Sequence, residues 1–433
     1  MHEKFHYASL EELRAKAQEL SAWLPLSEDL SVLERPLAIA GHTLPHRLVL
    51  QPMEGSDGTT DGAPGPLTIR RYQRFAAGGA SLIWFEAVST VPEGRASARQ
   101  LMLTEDSLAN FQRLVEQIKE IGLKENGFAP VVILQATHSG RYSKPRGAPE
   151  PLIAYNNPIF EETPLDASRI VSDDDLKQAE ERFGTLAALG RRAGFDGMDV
   201  KACHRYLACE LLSAYTRPGQ YGGSFENRTR FLLNAYRAAR AATPGDFLLT
   251  SRLNVYDGFA YPYGFGVAEG GSLQPELSEA KRLVGILKEE MKIPLLNITI
   301  GNPYKNPHVN RPYDNGVYVP QEHPLTGESR MMACVSEIQH AYRDLPVIGS
   351  AFSYLRQFSP NLAAGMISGG HAALAGFGRL AFACPDFPNR VLRQGTLDEA
   401  SVCLTCGRCA LFLRAGEPSG CAVRDETYRG KQP

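Results

Sequence analysis

Residues 196–231 read DGMDVKACHRYLACELLSAYTRPGQYGGSFENRTRF. The run Gly197-Met198-Asp199-Val200-Lys201 is short and partly β-branched, the pattern of a buried strand. Period-two alternation sets Asp199 and Lys201 on one face and Met198 and Val200 on the other. Two ionisable groups on one face of a buried strand are costly unless they are paired or used. Cys203, His204 and Tyr206 follow, then a helical pattern over Leu207–Leu212. Tyr221-Gly222-Gly223-Ser224 leads into a charged helix start at Glu226-Asn227-Arg228. A strand tip carrying Lys, His and Tyr within six positions has the make-up of an active-site floor. The same residues also suit a core ion pair between Asp199 and Lys201, with His204 satisfied by the backbone.

Working outward, apolar or β-branched runs occur at His46–Met53, Ala80–Ala87, Pro130–Thr137, Gly197–Ala202, Phe247–Val255, Pro294–Asn302, Pro346–Phe352 and His371–Arg379. Helical patterns lie between them at Leu67–Ala76, Leu108–Ile121, Asp174–Ala193, Asn227–Ala242, Glu276–Met291, Ser336–Tyr342 and Ser359–Ser368. Eight strands alternating with helices predict an α/β fold, a (β/α)₈ TIM barrel, rather than an open doubly wound sheet. A dinucleotide-binding domain would need G-x-G-x-x-G between strand and helix, and neither Gly264–Gly271 nor Gly369–Gly378 supplies it. The longer insertions, Ser143–Ile170 and Gly301–Thr326, read as loops at the barrel top.

A barrel of this kind carries its site where the strands end. Those ends are polar or unusual: Gln51-Pro52-Met53-Glu54, Glu86-Ala87, Gln135 with His138, Lys201 with His204, Arg252, Asn302, Ser350-Ala351 and Gly378-Arg379. The last two offer small residues, open backbone N–H groups and a fixed cation after strands seven and eight. That is the make-up of a phosphate site. With Gln135 and Arg252 further round the rim, the expected ligand is a cofactor with a phosphate tail and a polar ring.

The chain has 433 residues, with Lys+Arg 46 against Asp+Glu 48. No basic block stands out, so no nucleic-acid partner is expected. No run approaches the roughly 18 apolar residues of a membrane span, and the first residues lack a signal-peptide core. A cytoplasmic location without membrane attachment is therefore expected. Three segments are predicted: an N-terminal helical arm (1–34) with a helix around Leu10–Leu20, the barrel (35–396), and a cysteine-rich tail (397–433).

Of eight cysteines, Cys203, Cys209, Cys334 and Cys384 are scattered. Cys403, Cys406, Cys409 and Cys421 crowd into the tail, and clustered cysteines in a cytosolic chain point to metal. Zinc and iron–sulfur clusters both accept four thiolates. Three closely spaced cysteines with a more distant fourth favour a [4Fe–4S] cluster, with zinc or free thiols as the other readings.

The chain resembles the old yellow enzyme family, in particular its branch similar to bacterial 2,4-dienoyl-CoA reductase. The likeness runs from about Leu33 to the C-terminus, and GQYGGSFENRTRF within Gly197–Phe231 carries it most strongly. Pro52-Met53, LQATHSGR, SRLNVYDG and GFGR followed by PDFP agree in order and spacing. The resemblance implies an FMN-dependent barrel that reduces activated C=C bonds. Pro52, Met53 and Ala87 would line the isoalloxazine, Gln135 its pyrimidine edge, and Arg252 its N1–O2 locus. Ser350, Ala351, Gly378 and Arg379 would take the phosphate. Tyr206 matches the proton donor, and Lys201 with His204 the pair that binds the substrate carbonyl. Two positions depart from the pattern: Lys201 stands where His is usual, and Arg205 where a small Gly is usual. The cluster-bearing branch has the tail's layout with one more residue between the second and third cysteines.

Two functions follow. The first is an FMN- and iron–sulfur-dependent ene-reductase acting on an unsaturated carbonyl or thioester compound, with Tyr206 protonating the α-carbon. The second is an electron-transfer flavin/iron–sulfur subunit of a larger complex. A lyase or aldolase barrel with Lys201 as Schiff-base amine leaves the tail unexplained. The related reductases continue into FAD- and NADPH-binding domains, whereas twelve residues follow Cys421 here. NAD(P)H, or a reduced ferredoxin or flavoprotein docking near Arg408, Arg414 and Arg424, is the expected electron donor. A homo-oligomer is compatible with the sequence.

Overall fold

The computed structural model describes residues 2–432. An arm carrying helix α1 (Leu10–Glu19) precedes a short antiparallel hairpin, β1 (Leu37–Ile39) and β2 (His42–Leu44). Repeating units follow: β3 (Leu48–Leu50) with α2 (Pro66–Ala77), β4 (Leu82–Ser89) with α3 (Leu108–Asn126), and β5 (Val131–Thr137) with α4 (Asp173–Arg192). Then come β6 (Gly197–Val200) with α5 (Leu207–Leu212) and α6 (Phe225–Ala242), and β7 (Leu248–Thr250) and β8 (Arg252–Asn254) with α7 (Ser278–Glu289). The last units are β9 (Leu296–Thr299) with α8 (Pro307–Asn310) and α9 (Pro324–Ala341), β10 (Val347–Gly349) with α10 (Ser359–Ser368), and β11 (Leu374–Phe377) with α11 (Arg379–Ala383) and α12 (Phe387–Gln394). A final helix, α13 (Arg408–Ala415), lies in the tail.

The parallel sheet runs β7-β6-β5-β4-β3-β11-β10-β9-β8. β7 and β8 are separated only by Ser251, so the two ends of the sheet are halves of one strand and the sheet closes into the expected eight-stranded barrel. Seven of the eight strands fall within the runs that the sequence pattern marks, and β4 runs two residues past Ala87 to Ser89. The helices form because their apolar residues share one face. On α4, Leu176, Phe183, Leu186, Ala187 and Gly190 are buried, and a capping box between Ser172 and Asp175 fixes its start.

Alternation along the strands builds the site. Leu48 and Leu50, Val132 and Leu134, and Met198 and Val200 pack outward against the helices. Val49, Leu82, Trp84, Val131, Ile133, Leu248, Ile348 and Leu374 fill the barrel interior, with Ile39 and Leu44 of the hairpin beneath them. The inward face then turns polar two residues further on: Gln51, Gln135, Asp199, Asn297 and Ser350. This layer is internally bonded. The amides of Gln51 and Asn297 exchange hydrogen bonds at 3.0 and 2.8 Å, and Gln51 Nε2 also donates to Ser350 Oγ at 2.9 Å.

Two features depart from the sequence reading. The hairpin β1–β2 is not anticipated, and α9 begins at Pro324 rather than at Ser336. Its first turns carry Gly327, Glu328, Ser329 and Arg330, which mask the helical period. The tail folds back over the barrel mouth: Ser419 N donates to Gly55 O at 2.7 Å, and Asp425 pairs with Arg70 and Arg74 of α2. No described helix is long and apolar enough to cross a membrane.

Candidate active site

One cavity opens at the C-terminal ends of the strands. Its wall includes Pro52, Met53, Ala87, Gln135, Lys201, His204, Tyr206, Arg252, Ser350, Ala351, Gly378 and Arg379, every non-cysteine residue to which the resemblance gives a role, whereas Glu86, His138 and Asn302 of the polar strand ends stand outside it. Of the tail cysteines only Cys409 reaches it. Gln51, Glu54, Tyr304, Arg311, Leu413 and Arg414 also line it.

Asp199 is the buried anchor of the floor. Its Oδ2 accepts from Trp84 Nε1 and Gln135 Nε2, both at 2.7 Å, and its Oδ1 from the backbone N–H of Arg252 at 2.7 Å. Burial raises its pKa to about 6, against the pull of these donors. Because the Gln135 NH₂ group serves Asp199, its carbonyl oxygen is left to the cavity. The core ion pair between Asp199 and Lys201 is not formed. Lys201 Nζ stands 3.7 Å from the centroid of the Tyr206 ring, has no acid partner among the described residues, and burial lowers its pKa. The two residues share a face, but Asp199 is saturated inside the barrel while Lys201 emerges at the mouth.

The turn after β6 is strained. His204 and Arg205 both take left-handed φ, 63° and 58°, where a side chain costs of order 1 kcal/mol or more. This explains why glycine suits position 205. Arg205 points away from the cavity: it is fully buried, ion-paired to Asp257 at 2.8 Å and bonded to Tyr263 O at 2.9 Å. Its charge is therefore spent, and it leaves the cavity's anion preference unaltered. His204 is neutral, its pKa driven well down by burial and then by Arg252, Lys201 and Arg311, and its Nε2 has no partner. Tyr206 sets the start of α5 and bonds Tyr304 Oη at 3.0 Å. Burial holds its phenol well above the usual range, with Tyr304 and Glu54 adding to the rise. Tyr142 stacks on Tyr304 at 4.0 Å between centroids and accepts from Asn302 at 2.8 Å.

At the opposite end, Ala351 is left-handed at φ 77°. The backbone N–H groups of Ala351 and Gly378 have no acceptor among the described residues. A Cβ on Gly378 would lie 2.8 Å from Met53 Sδ. Arg379 donates Nη1 to Pro312 O at 2.8 Å and keeps Nη2 free. Ser350 Oγ donates to Ile298 O at 2.7 Å, so an anion there would draw on its backbone and not its hydroxyl.

The tail thiols are neighbours. Thr405 N donates to Cys403 Sγ and Arg424 N to Cys421 Sγ, each at 3.3 Å. Burial pushes the Cys403 thiol up to about 12, with Cys409 and Cys421 adding to the rise; the Cys409 thiol is raised likewise, with Cys406 and Cys421 adding. Among the described residues no three ligating side chains converge tightly enough to hold a metal ion. Arg414 lies in the cavity wall rather than on a docking face. Tyr304 and Arg311 lie in the 301–326 insertion, whose lack of any period hides them. Arg414 and Glu54 carry charge that the sequence shows without placing it.

The profile of the NADH:flavin oxidoreductase / NADH oxidase family matches residues 33–290. An NADH oxidase of Thermoanaerobacter brockii is 28% identical over 375 residues, 83% of this chain and 50% of its own length. An NADPH dehydrogenase of Bacillus subtilis is 34% identical over 204 residues, 46% of this chain and 56% of its own. The chain thus spans about half the length of these curated relatives. Among solved structures, a 2-naphthoyl-CoA reductase complex superposes with TM-score 0.75 at 20% identity, over 91% of this chain and 57% of that one. An old yellow enzyme homologue from Zymomonas mobilis superposes with TM-score 0.63 at 18% identity, over 90% and 98%. At such identities the likeness to solved structures is one of fold.

Proposed function

The chain belongs to the NADH:flavin oxidoreductase / NADH oxidase family, and from that premise we propose that it is an FMN- and iron–sulfur-dependent ene-reductase. The observation that carries the reading is the meeting of Lys201, His204 and Tyr206 with Gln135, Arg252 and the Ala351/Gly378/Arg379 cradle in one cavity. The residues fit FMN. Buried Arg252 Nε and Arg379 Nη2 lack partners, the Gln135 carbonyl is open, and two unbonded backbone N–H groups sit beside Arg379. Gln135 and Arg252 would hold the ring, and Ala351, Gly378 and Arg379 the phosphate. Bound and reduced, FMN supplies a hydride to the β-carbon of an activated C=C bond.

The chain's own residues then handle charge and proton. Negative charge develops on the carbonyl oxygen, where Lys201 and His204 donate. His204 does so as a neutral imidazole. Tyr206 holds its proton at Oη across the neutral range and gives it to the α-carbon, and Tyr304 bonds the same oxygen. A purely electron-transferring subunit has no need of this trio. The four tail cysteines would hold an iron–sulfur cluster, which supplies one-electron transfer. Their number and two N–H···S bonds favour it, while the side chains do not converge on a common point. NAD(P)H is the donor favoured by the names of the relatives; a ferredoxin or flavoprotein is the other.

Tyr206→Phe tests the reading. In the flavin-loaded protein, reduction should proceed while reoxidation by an enone slows roughly 10²–10⁴-fold. Unchanged reoxidation would assign the proton to another group and remove the central support.

A further inference from the structure

We propose that the cavity admits a substrate bearing an oxyanion group, in the first instance a carboxylate, seated between Arg311 and Arg414. This deepens the ene-reductase reading and rests on it. The inference begins from a contrast between the buried arginines and two half-buried ones in the cavity wall. Arg205 is paired with Asp257, Arg71 with Asp57 and Glu86, and Arg141 with Glu210 and Glu161. Arg311 lines the cavity with no acid partner and no side-chain hydrogen bond among the described residues. Arg414 gives a single N–H to Pro303 O at 2.9 Å. Burial, with neighbouring Arg379 and Arg414, lowers the Arg311 pKa to about 10, against the smaller opposing pull of Cys409. A guanidinium held among other cations in a half-buried wall is costly without an anion.

The flavin leaves Arg311 unspent. Its phosphate would be met by Arg379 and the two backbone N–H groups, and its ring by Arg252. Arg311 acts electrostatically on His204 and Tyr304, the groups beside the transferred proton, which sets it on the substrate side. Arg414 stands at the junction between the main cavity and a smaller one lined by Lys144, Tyr142 and Tyr304. The approach from solvent is thus cationic, a path that concentrates anions. Facing all of this is one acid, Glu54, whose pKa burial raises to about 7. Guanidinium with carboxylate or phosphate gives the two-pronged hydrogen bonding that fixes orientation as well as charge. Carboxylate and phosphate share this chemistry.

The test is calorimetric binding to the flavin-loaded protein of three unreactive ketones: neutral 2-pentanone, 4-oxopentanoate and 2-oxopropylphosphonate. The wild type should bind one of the anions about 10–100-fold more tightly than the neutral ketone, and which anion wins identifies the source. In Arg311→Gln, and separately in Arg414→Gln, that ratio should fall at least about tenfold, with Arg311→Lys restoring part of it. Equal affinity for neutral and anionic ketones in the wild type would overturn the proposal. So would loss of flavin from Arg311→Gln with the ratio intact in Arg414→Gln, since Arg311 would then belong to the cofactor. Failure of any enone to reoxidise the flavin, with the anion preference and its arginine dependence intact, would refute the ene-reductase reading and leave the anion site standing.

Discussion

Glu328 offers a measurement whose size follows from its surroundings. It lies on α9, fully buried, and neither carboxyl oxygen has a hydrogen-bond partner. Burial raises its pKa from 4.5 to about 8, opposed only by Arg379. In the unfolded chain the group ionises near 4.5, so between pH 4.5 and 8 the folded state holds a proton that the unfolded state has released. Stability contributed by this group is therefore full below pH 4.5 and falls as pH rises, by on the order of 5 kcal/mol by pH 8. Glu328→Gln keeps the shape and cannot ionise. The variant should match the wild type near pH 4.5 and exceed it by several kcal/mol near pH 8, as measured by urea denaturation of flavin-loaded protein. The comparison of variant with wild type cancels the other raised acids, among them Asp199 at about 6 and Glu54 at about 7. A stability difference equal at both pH values would refute the reasoning, because it would mean that Glu328 is ionised or solvated throughout.

Anaerobically isolated protein should contain about four irons and four acid-labile sulfides per chain, and Cys406→Ala should lose them while keeping flavin; stoichiometric zinc without iron would replace this reading. Asp199→Asn puts an NH₂ group against at least one of three donors. It should cost about 2–4 kcal/mol and loosen flavin, whereas Lys201→Ala, lacking an ion pair to break, should stay within about 1 kcal/mol in the same denaturation assay. Comparable losses in both would restore the core ion-pair reading.

The strands were legible because each carries a run that must be apolar on its outer face, as Val132-Leu134 and Met198-Val200 do. The polar residues that follow on the inner face marked the site for the same reason. Legibility ended where periodicity ended. Tyr304 and Arg311 stand in an irregular insertion, and Glu328 sits in a helix start that reads as solvated. Asp199 and Lys201 show the limit more finely. Their shared face was readable from alternation, but whether they pair depended on Trp84, Gln135 and the Arg252 N–H, contributed by three other strands.

The roof of the site is held by charges that lie outside it. Asp314 accepts from Phe5 N at 3.0 Å, pairs with Arg356, and gives its own backbone N–H to Thr405. One residue thus ties the N-terminal arm, the 301–326 insertion and the segment after β10 to the first cysteines of the tail. The far end of the tail is fixed by Asp425 between Arg70 and Arg74. These anchors place Cys409 in the cavity wall without calling on any thiol as a ligand. Closure of the cavity and chemistry at the thiols should therefore separate: a change at Asp314 or Asp425 is expected to act on access to the site, and a change at Cys406 on the proposed cluster alone.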